Sequence, residues 1–344
     1  MDIAPSQTHE HSGESAPARP RTIYLLCPAG LRTGGPEAIH QLAGTLLEQG
    51  HDARIIYLSH EVCATVHRST GNLVCNRFVF PDAKDKMPEA YRIYGTRDGL
   101  EIEDAPDNIL VFPEALPFLY RLGTRMQKHL WWLSVDNAQH LLDDMGGMDG
   151  IRSLPITHLA QSAYAEDFLR RHGIRQVHRL FDYTRPNFLT PPPELAGGER
   201  EDRVLYNPRK GKDVVDLLMS WAPDINWVPI IGMQPDEVHR LLLTSKIYID
   251  FGEHPGKDRI PREAAMSGCV VITGRRGAAD FFADLPIGDY YTFGQSASVG
   301  DVTERIRECL RDFPKHAAAF DHYRRCIMTE QDEFRLQVRR IYGE

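Results

Sequence analysis

A short charged segment between two apolar runs is the part of this sequence best suited to bind an anion. The apolar run before it ends at Asp250, and the residues that follow are dense in Gly, Pro, His, Lys and Arg. A helix is predicted to begin at Pro261, where proline suits the first turn because its missing N–H would have no partner. Unpaired N–H groups and the helix dipole favour negative charge there. Lys257, Arg259 and Arg262 add mobile positive charge, so the segment predicts a site for a phosphorylated ligand.

Two further loops have a composition that suits phosphate. Arg209, Lys210 and Lys212 surround a glycine between a predicted strand and a predicted helix. A solvated basic loop is the alternative, but two basic loops at the same predicted sheet edge favour a functional role. Gly34 and Gly35 precede another helix, where they either let the backbone approach a ligand closely or simply form a tight turn.

Four residues around the charged segment have both a structural and a functional interpretation. Glu263 lies in the first turn of the predicted helix, where it either offsets the helix dipole, worth about 0.3–1 kcal/mol, or accepts hydrogen bonds from ribose hydroxyls. His254 is either a substrate ligand or a hydrogen-bonding loop residue. Gly277 and Ala278 follow the next strand and are predicted to bring more backbone N–H groups to the same ligand.

Two carboxylates in the first half of the chain are candidate catalytic groups. Glu114 and Asp136 each follow an apolar run, so each is predicted at the carboxyl end of a strand. Such carboxylates are candidates for a general base or for contacts with sugar hydroxyls, and helix capping is the alternative for both. The sequence contains no nucleophile elbow, Walker loop or zinc spacing. We therefore predict no metal and no bound cofactor, and a chemistry that depends on positioning and charge.

The elements that position these residues alternate between strand and helix, which predicts an α/β protein with parallel sheets. Two Rossmann-like domains should face a cleft, with ligands at the carboxyl ends of the strands and a C-terminal helix that crosses back to the first domain. The predicted organisation is a disordered tail (1–20), a first domain (21–190), a Pro/Gly-rich linker (191–200), a second domain (201–320) and a C-terminal helix (321–344).

Composition narrows the class of protein. A length of 344 residues favours two domains, and 42% hydrophobic with 26% charged residues is typical of a soluble globular protein. The net charge of -8 argues against nucleic acid as a partner. No apolar run is long enough to span a membrane, and residues 1–20 do not have the pattern of a secretory signal. The six scattered cysteines favour reduced thiols and a cytoplasmic location.

The order of these motifs resembles the GT-B glycosyltransferases, especially the retaining, glycogen-synthase-like group. Gly34-Gly35 matches the glycine pair that opens the N-terminal domain in that family, and Arg209-Lys-Gly-Lys212 matches its Arg…Lys-Gly segment. The run from Glu263 to Ile272 is similar to the family sequence Glu-Ala-x-x-x-Gly-x-Pro-Val-Ile, with Val270 at the usual proline. The resemblance extends from about Thr22 onward.

The resemblance implies transfer of a sugar from a nucleotide diphosphate donor to a glycan, lipid-linked or small-molecule acceptor, without a metal. It implies that Arg209 with Lys210 or Lys212 contacts the diphosphate and that Glu263 contacts the ribose. The family pattern places a donor-sugar glutamate eight positions before Glu263, where this chain has Pro255. His254, Lys257 or Asp258 are candidates to replace it.

The first domain should bind the acceptor, and peripheral contact with a membrane is left open. A nucleotide-sugar epimerase and a non-catalytic protein that binds sugar nucleotides or glycans are the alternatives.

Overall fold

The computed structural model describes residues 21–69, 71–83, 85–190 and 198–343. Within these residues the chain forms two α/β units, each built on a parallel sheet. The predicted disordered tail, most of the predicted linker and the last residue lie outside the described residues. The domain limits therefore stay a prediction, whereas the predicted α/β class with parallel sheets is confirmed.

The first unit carries helices on both faces of its sheet. Its strands are β1 (Thr22–Pro28), β2 (Asp52–Leu58), β3 (Arg77–Val79), β4 (Glu101–Glu103), β5 (Ile109–Pro113), β6 (Gln127–Trp132), β7 (Ile156–Ala160) and β8 (Val177–Arg179). In the described part of the chain, six of them form one parallel sheet in the order β2-β1-β5-β6-β7-β8, and β3 and β4 form an antiparallel pair. Its helices are α1 (Gly34–Glu48), α2 (His60–His67), α3 (Val135–Leu142), α4 (Gly147–Ser153) and α5 (Ala163–Arg171).

The second unit repeats this arrangement with a smaller sheet. Its strands are β9 (Glu201–Tyr206), β10 (Asn226–Pro229), β11 (Ser245–Asp250), β12 (Val270–Gly274) and β13 (Thr292–Phe293). Among the described residues these five strands lie parallel in the order β10-β9-β11-β12-β13. The helices are α6 (Lys212–Trp221), α7 (Pro235–Thr244), α8 (Arg259–Met266), α9 (Val299–Arg311), α10 (Phe313–Ala318) and α11 (Asp321–Tyr342).

The last helix, α11, connects the two units. Its first half places Tyr323 and Ile327 in the core of the second unit. Its second half places Phe334, Val338 and Tyr342 in the core on one face of the first sheet. The predicted helix that crosses back to the first domain is thus confirmed. Because α11 loses apolar burial on both sides if the units separate, it ties them together.

The predicted alternation of strands and helices agrees with the structure, since continuous apolar runs are the signature of parallel strands buried on both faces. One difference matters for the site. Helix α8 begins at Arg259 rather than at Pro261, so Arg259 and Arg262 both belong to the helix, and Lys257 lies just before its N-cap, Asp258.

Candidate active site

The carboxyl ends of the two sheets face each other across the junction of the units. Helix α1 begins at Gly34 directly after β1 and its loop, and α8 begins at Arg259 after β11 and its loop. The two helix N-termini are in contact, because the Arg259 Nη2 donates to the carbonyl oxygen of Gly34 at 3.3 Å. The Gly-Gly turn and the charged segment, which are far apart in sequence, therefore belong to one site, as expected for doubly wound sheets.

The loop that precedes α8 is held by the backbone of the first unit. Val135 donates its N–H to the carbonyl oxygen of Pro255 at 3.1 Å. Gly256 passes so close to the carbonyl oxygen of Leu133 that a Cβ at this position would lie 2.1 Å from it, a distance no side chain tolerates. Position 255, where the resemblance predicts a glutamate, thus lies against the first unit and carries a proline.

Glu114 stabilises the backbone segment of the first unit that contacts Pro255 and Gly256. Its side chain is buried, and its Oε2 accepts a hydrogen bond from the Leu133 N–H at 2.8 Å. Burial raises the pKa of Glu114 to about 7, although hydrogen bonds from the backbone act against this shift. Glu114 therefore lies behind the backbone of Leu133, which contacts Gly256, and its side chain is not on the open surface of the cleft.

Asp136 has a more accessible position than Glu114. It lies half-buried in the first turn of α3, where its Oδ1 accepts a hydrogen bond from the Tyr164 hydroxyl at 2.7 Å. The carboxylate thus contributes to a contact between α3 and α5 and retains exposure to solvent. Of the two predicted catalytic carboxylates, Asp136 is the one that a hydroxyl-bearing acceptor could reach.

His254 is buried between two carboxylates of its own loop. Its Nδ1 lies 2.8 Å from the Asp258 Oδ2, and its Nε2 lies 3.4 Å from the Asp250 Oδ1. Burial opposes the charged ring, but the hydrogen bond from His254 to Asp258 and the charge of Asp250 raise the pKa of His254. The Lys210 Nζ binds the same Asp258 Oδ2 at 2.5 Å. Asp258 thus binds both His254 and Lys210 and joins the loop to the basic segment after β9.

Asp250, His254 and Asp258 are also close enough to be considered as ligands of a metal ion, because their ligand atoms all lie within 4.8 Å of one another. The geometry does not suit this role. The imidazole stands between the two carboxylates with one nitrogen toward each, so the three groups do not converge on a single point. The ammonium group of Lys210 already supplies a cation.

Gly277 and Ala278 pack directly on the His254 loop. The Ala278 N–H donates to the carbonyl oxygen of His254 at 2.8 Å. Gly277 has a φ of +50°, and a Cβ at this position would lie 2.2 Å from the same oxygen. The Ala278 N–H, predicted to bind the ligand, is thus used inside the protein, and Gly277 is required for the close approach of two loops.

Two cations predicted to bind phosphate lie instead in a buried ion network, which we call the interdomain network: Asp182, Lys257, Arg262 and Glu330. Arg262 is fully buried and binds the Asp182 Oδ1 at 2.9 Å and the Glu330 Oε2 at 3.1 Å. Its other N–H groups donate to three backbone carbonyl oxygens, those of Asp182, Lys257 and Asp258. Lys257 binds the Glu330 Oε1 at 2.9 Å. The burial and pairing of Lys257 and Arg262 argue against their predicted role as phosphate ligands.

Three other charged residues beside the cleft keep unused hydrogen-bonding capacity among the described residues, and we call them the cleft group: Arg209, Arg259 and Glu263. Arg209 is exposed, and no hydrogen bond or ion pair of its side chain occurs within the described residues. Glu263 is half-buried one turn after Arg259, and its carboxylate likewise has no hydrogen-bond partner among the described residues. Burial raises the pKa of Glu263, and the charge of Arg259 partly offsets this. Lys212, by contrast, pairs with Asp216 on the exposed surface of α6.

Comparison with known proteins places this geometry in context. The chain matches no protein-family model. It is 24% identical over 270 residues to an α-1,6-glucosyltransferase from Actinobacillus pleuropneumoniae serotype 7 (strain AP76), an alignment that covers 71% of this chain and 77% of the relative.

Among solved structures, it resembles Anabaena HepE in complex with UDP-glucose, with a TM-score of 0.63, 10% identity, and coverage of 93% of this chain and 98% of that chain. It also resembles the sucrose-phosphate synthase of Thermosynechococcus elongatus, with a TM-score of 0.63, 13% identity, and coverage of 94% and 98%. The chain has the GT-B fold of these glycosyltransferases. The structural similarities establish the fold, and the sequence similarity supports sugar transfer over epimerisation or simple binding.

Several charged residues of this GT-B-fold protein were not predicted as site residues. Glu37 and Asp182 from the first unit and Glu330 from α11 contact the predicted cations, and Arg185 pairs with Glu37. Glu37 could have been found, because it follows the Gly-Gly turn in the first turn of a helix. Glu330 gives no local signal, since it occupies one of many charged positions in a long amphipathic helix. None of the described helices is long and apolar enough to cross a membrane.

Proposed function

We propose that this GT-B-fold protein transfers a hexosyl group from a UDP-sugar to a hydroxyl of a glycan acceptor, with the nucleotide bound by the second unit. The main supporting observation is Glu263. A half-buried carboxylate near the N-terminus of α8, with no hydrogen-bond partner among the described residues, is suited to accept hydrogen bonds from the two ribose hydroxyls. The HepE structure contains UDP-glucose, which supports UDP as the nucleotide to test first.

The diphosphate is proposed to lie between the N-termini of α8 and α1. Arg209 and Lys210 follow the carboxyl end of β9, and Gly34 and Gly35 begin α1 on the opposite side. The N-terminal N–H groups of the helices and the basic side chains would stabilise the negative charge that develops on the leaving diphosphate. With these charges available, the proposed reaction needs no metal ion.

The acceptor is proposed to bind at the first unit, near Asp136. In the overall reaction, the acceptor hydroxyl oxygen bonds to the anomeric carbon of the donor sugar. The bond between that carbon and the β-phosphate oxygen breaks, and its electron pair leaves with UDP, which also takes up the hydroxyl proton. Because position 255 carries proline in place of the expected glutamate, contacts to the donor sugar must come from other residues.

Calorimetry and a transfer assay test this proposal together. UDP should bind in preference to GDP, dTDP, ADP and CDP, and UDP-hexoses should yield a glycosylated product with a glycan panel in the presence of EDTA. Glu263→Gln should weaken UDP binding by about 10- to 100-fold, since hydrogen bonds to a charged group are worth about 1.5–3 kcal/mol. The matched control is Lys212→Ala, which changes an exposed cation on the outer surface of α6.

The results separate the proposal from its rivals. Absence of UDP binding at millimolar concentration would contradict the proposed donor. Conversion of the donor to an isomeric sugar nucleotide without any acceptor would indicate an epimerase. Loss of all transfer in EDTA, restored by a divalent cation, would contradict the metal-independent mechanism.

A further inference from the structure

The charged side chains at the junction of the units form one continuous chain of ion pairs. In order, the alternating members are Arg185, Glu37, Arg259, Asp182, Arg262, Glu330 and Lys257. Four cations thus share three carboxylates within this chain. One cation can therefore leave while every carboxylate keeps a partner, because the remaining charges balance.

Arg259 is the member of this chain best able to leave. Its Nη1 binds the Glu37 Oε2 at 2.7 Å, and its Nη2 binds the Asp182 Oδ2 at 2.9 Å. Each of these carboxylates has a second guanidinium partner. Arg185 binds both oxygens of Glu37, at 2.7 and 2.6 Å, and Arg262 binds Asp182. Departure of Arg259 would thus leave neither carboxylate as an unpaired buried charge.

The other cations lack this freedom. Arg262 is fully buried and has all of its N–H groups engaged, so its departure would orphan several backbone carbonyl oxygens. Lys257 is buried against Glu330 and lies over the ring of Phe181. The Nε of Arg259, in contrast, is buried and has no hydrogen-bond partner in the part of the chain that the structure describes. A buried unpaired donor is costly, so Arg259 stands to gain from an added acceptor.

The position of Arg259 points to the nature of that acceptor. The side chain lies at the first residue of α8, beside Gly34 at the start of α1 and one turn before Glu263. A planar guanidinium at this point can bind two phosphate oxygens at once. We propose, on the basis of the proposed function, that Arg259 binds the donor diphosphate by exchanging Glu37 and Asp182 for phosphate oxygens. It then neutralises charge on UDP as the bond from the anomeric carbon to the β-phosphate oxygen breaks.

This exchange predicts opposite effects on UDP affinity for substitutions of Arg259 and of Glu37. Arg259→Gln should weaken UDP binding by about tenfold or more, because a charge-assisted bond to phosphate is lost. UMP, which lacks the β-phosphate, should bind within about twofold of the wild type. Glu37→Gln should tighten UDP binding severalfold, since it removes a carboxylate that competes for Arg259. Arg259→Lys keeps the positive charge but not the planar pair of N–H donors, and should give an intermediate UDP affinity.

The experiment is calorimetric titration of the full chain with UDP and with UMP, for the wild type, the three single variants and the double variant Arg259→Gln/Glu37→Gln. If the gain from Glu37→Gln acts through Arg259, it should vanish in the double variant. Equal weakening of UDP and UMP by Arg259→Gln, or a gain that survives in the double variant, would overturn the inference. A wild type that binds no UDP would instead overturn the proposed function itself. If Arg259→Gln does not fold, Arg259→Lys and Glu37→Gln still decide the matter.

Discussion

Two arginines of the same helix, three positions apart, have opposite surroundings. Arg262 belongs to the interdomain network, where every N–H group already has a partner and no part of the residue is exposed. Arg259 belongs to the cleft group, and its buried Nε–H has no partner among the described residues. The same residue type near the same helix N-terminus thus provides either cohesion between the units or a potential ligand contact.

The difference shows that proximity to an anion-binding loop does not make a cation a ligand. What decides is whether its hydrogen-bonding capacity is already used, because a saturated buried guanidinium can bind phosphate only by breaking existing bonds. Substitutions in the interdomain network should therefore mainly lower the free energy of unfolding. Substitutions in the cleft group should mainly change the affinity for the nucleotide.

The largest effect is expected at Arg262. Arg262→Met should lower the free energy of unfolding by about 3–5 kcal/mol, because removing one partner leaves buried Asp182 and Glu330 with less compensation. Urea unfolding followed by circular dichroism measures this change. The control is Arg259→Gln, which removes a hydrogen bond to one backbone carbonyl oxygen, whereas Arg262 makes three such bonds, and it should cost less than half as much.

Equal destabilisation by Arg262→Met and Arg259→Gln would contradict the distinction between the interdomain network and the cleft group. A stability close to that of the wild type for Arg262→Met would show that the buried ions contribute nothing net, a known outcome when an apolar side chain fills the same volume.

A smaller, pH-dependent effect is expected at His254. Its pKa is raised in the folded protein, despite burial, by Asp258 and Asp250. A group with a raised native pKa stabilises the fold below its unfolded pKa of about 6.5, and this contribution is lost as the pH rises through the native pKa. The stability difference between the wild type and His254→Gln should therefore be largest near about pH 6 and should shrink toward about pH 9. Each unit of pKa shift corresponds to about 1.4 kcal/mol.

Urea unfolding at several pH values gives this difference directly. Asp258→Asn should remove much of the same pH-dependent contribution, because the imidazolium loses its nearest carboxylate. A stability difference that is constant from about pH 6 to about pH 9 would mean that His254 has the same pKa in the folded and unfolded states.

The smallest effects are expected in the loop between β9 and α6. Arg209→Ala should weaken UDP binding by about tenfold, because its exposed guanidinium is free to contact the diphosphate. Lys212→Ala should change the affinity by less than about twofold, since Lys212 pairs with Asp216 on the outer surface. Both affinities come from calorimetry. A larger loss of UDP affinity for Lys212→Ala than for Arg209→Ala would contradict this assignment and would indicate that Lys212 contacts the diphosphate.

The fold was largely predictable because its signals are local. Strands β1, β5 and β12 contain continuous apolar runs. Helices were predicted after the Gly34-Gly35 pair and after the Arg209–Lys212 loop, where α1 and α6 lie. The short pair β3 and β4 was missed, since three-residue strands with exposed positions carry almost no periodicity.

The site was only partly predictable. The sequence places Gly34, Arg209 and Glu263 near helix N-termini, and the structure leaves Arg209 and Glu263 without partners among the described residues. The sequence could not predict that Lys257 and Arg262 form ion pairs with Asp182 and Glu330, because those carboxylates come from elements far away in the chain.

The sequence by itself determined the alternation of strands and helices, the position of the helix N-termini and the excess of basic residues beside them. These properties depend on neighbouring residues, through periodicity, capping and backbone geometry. Only the tertiary structure decided which cations are free. Whether Arg259 or Arg262 can bind a ligand depends on carboxylates that the fold brings from both units, and no local pattern records that pairing.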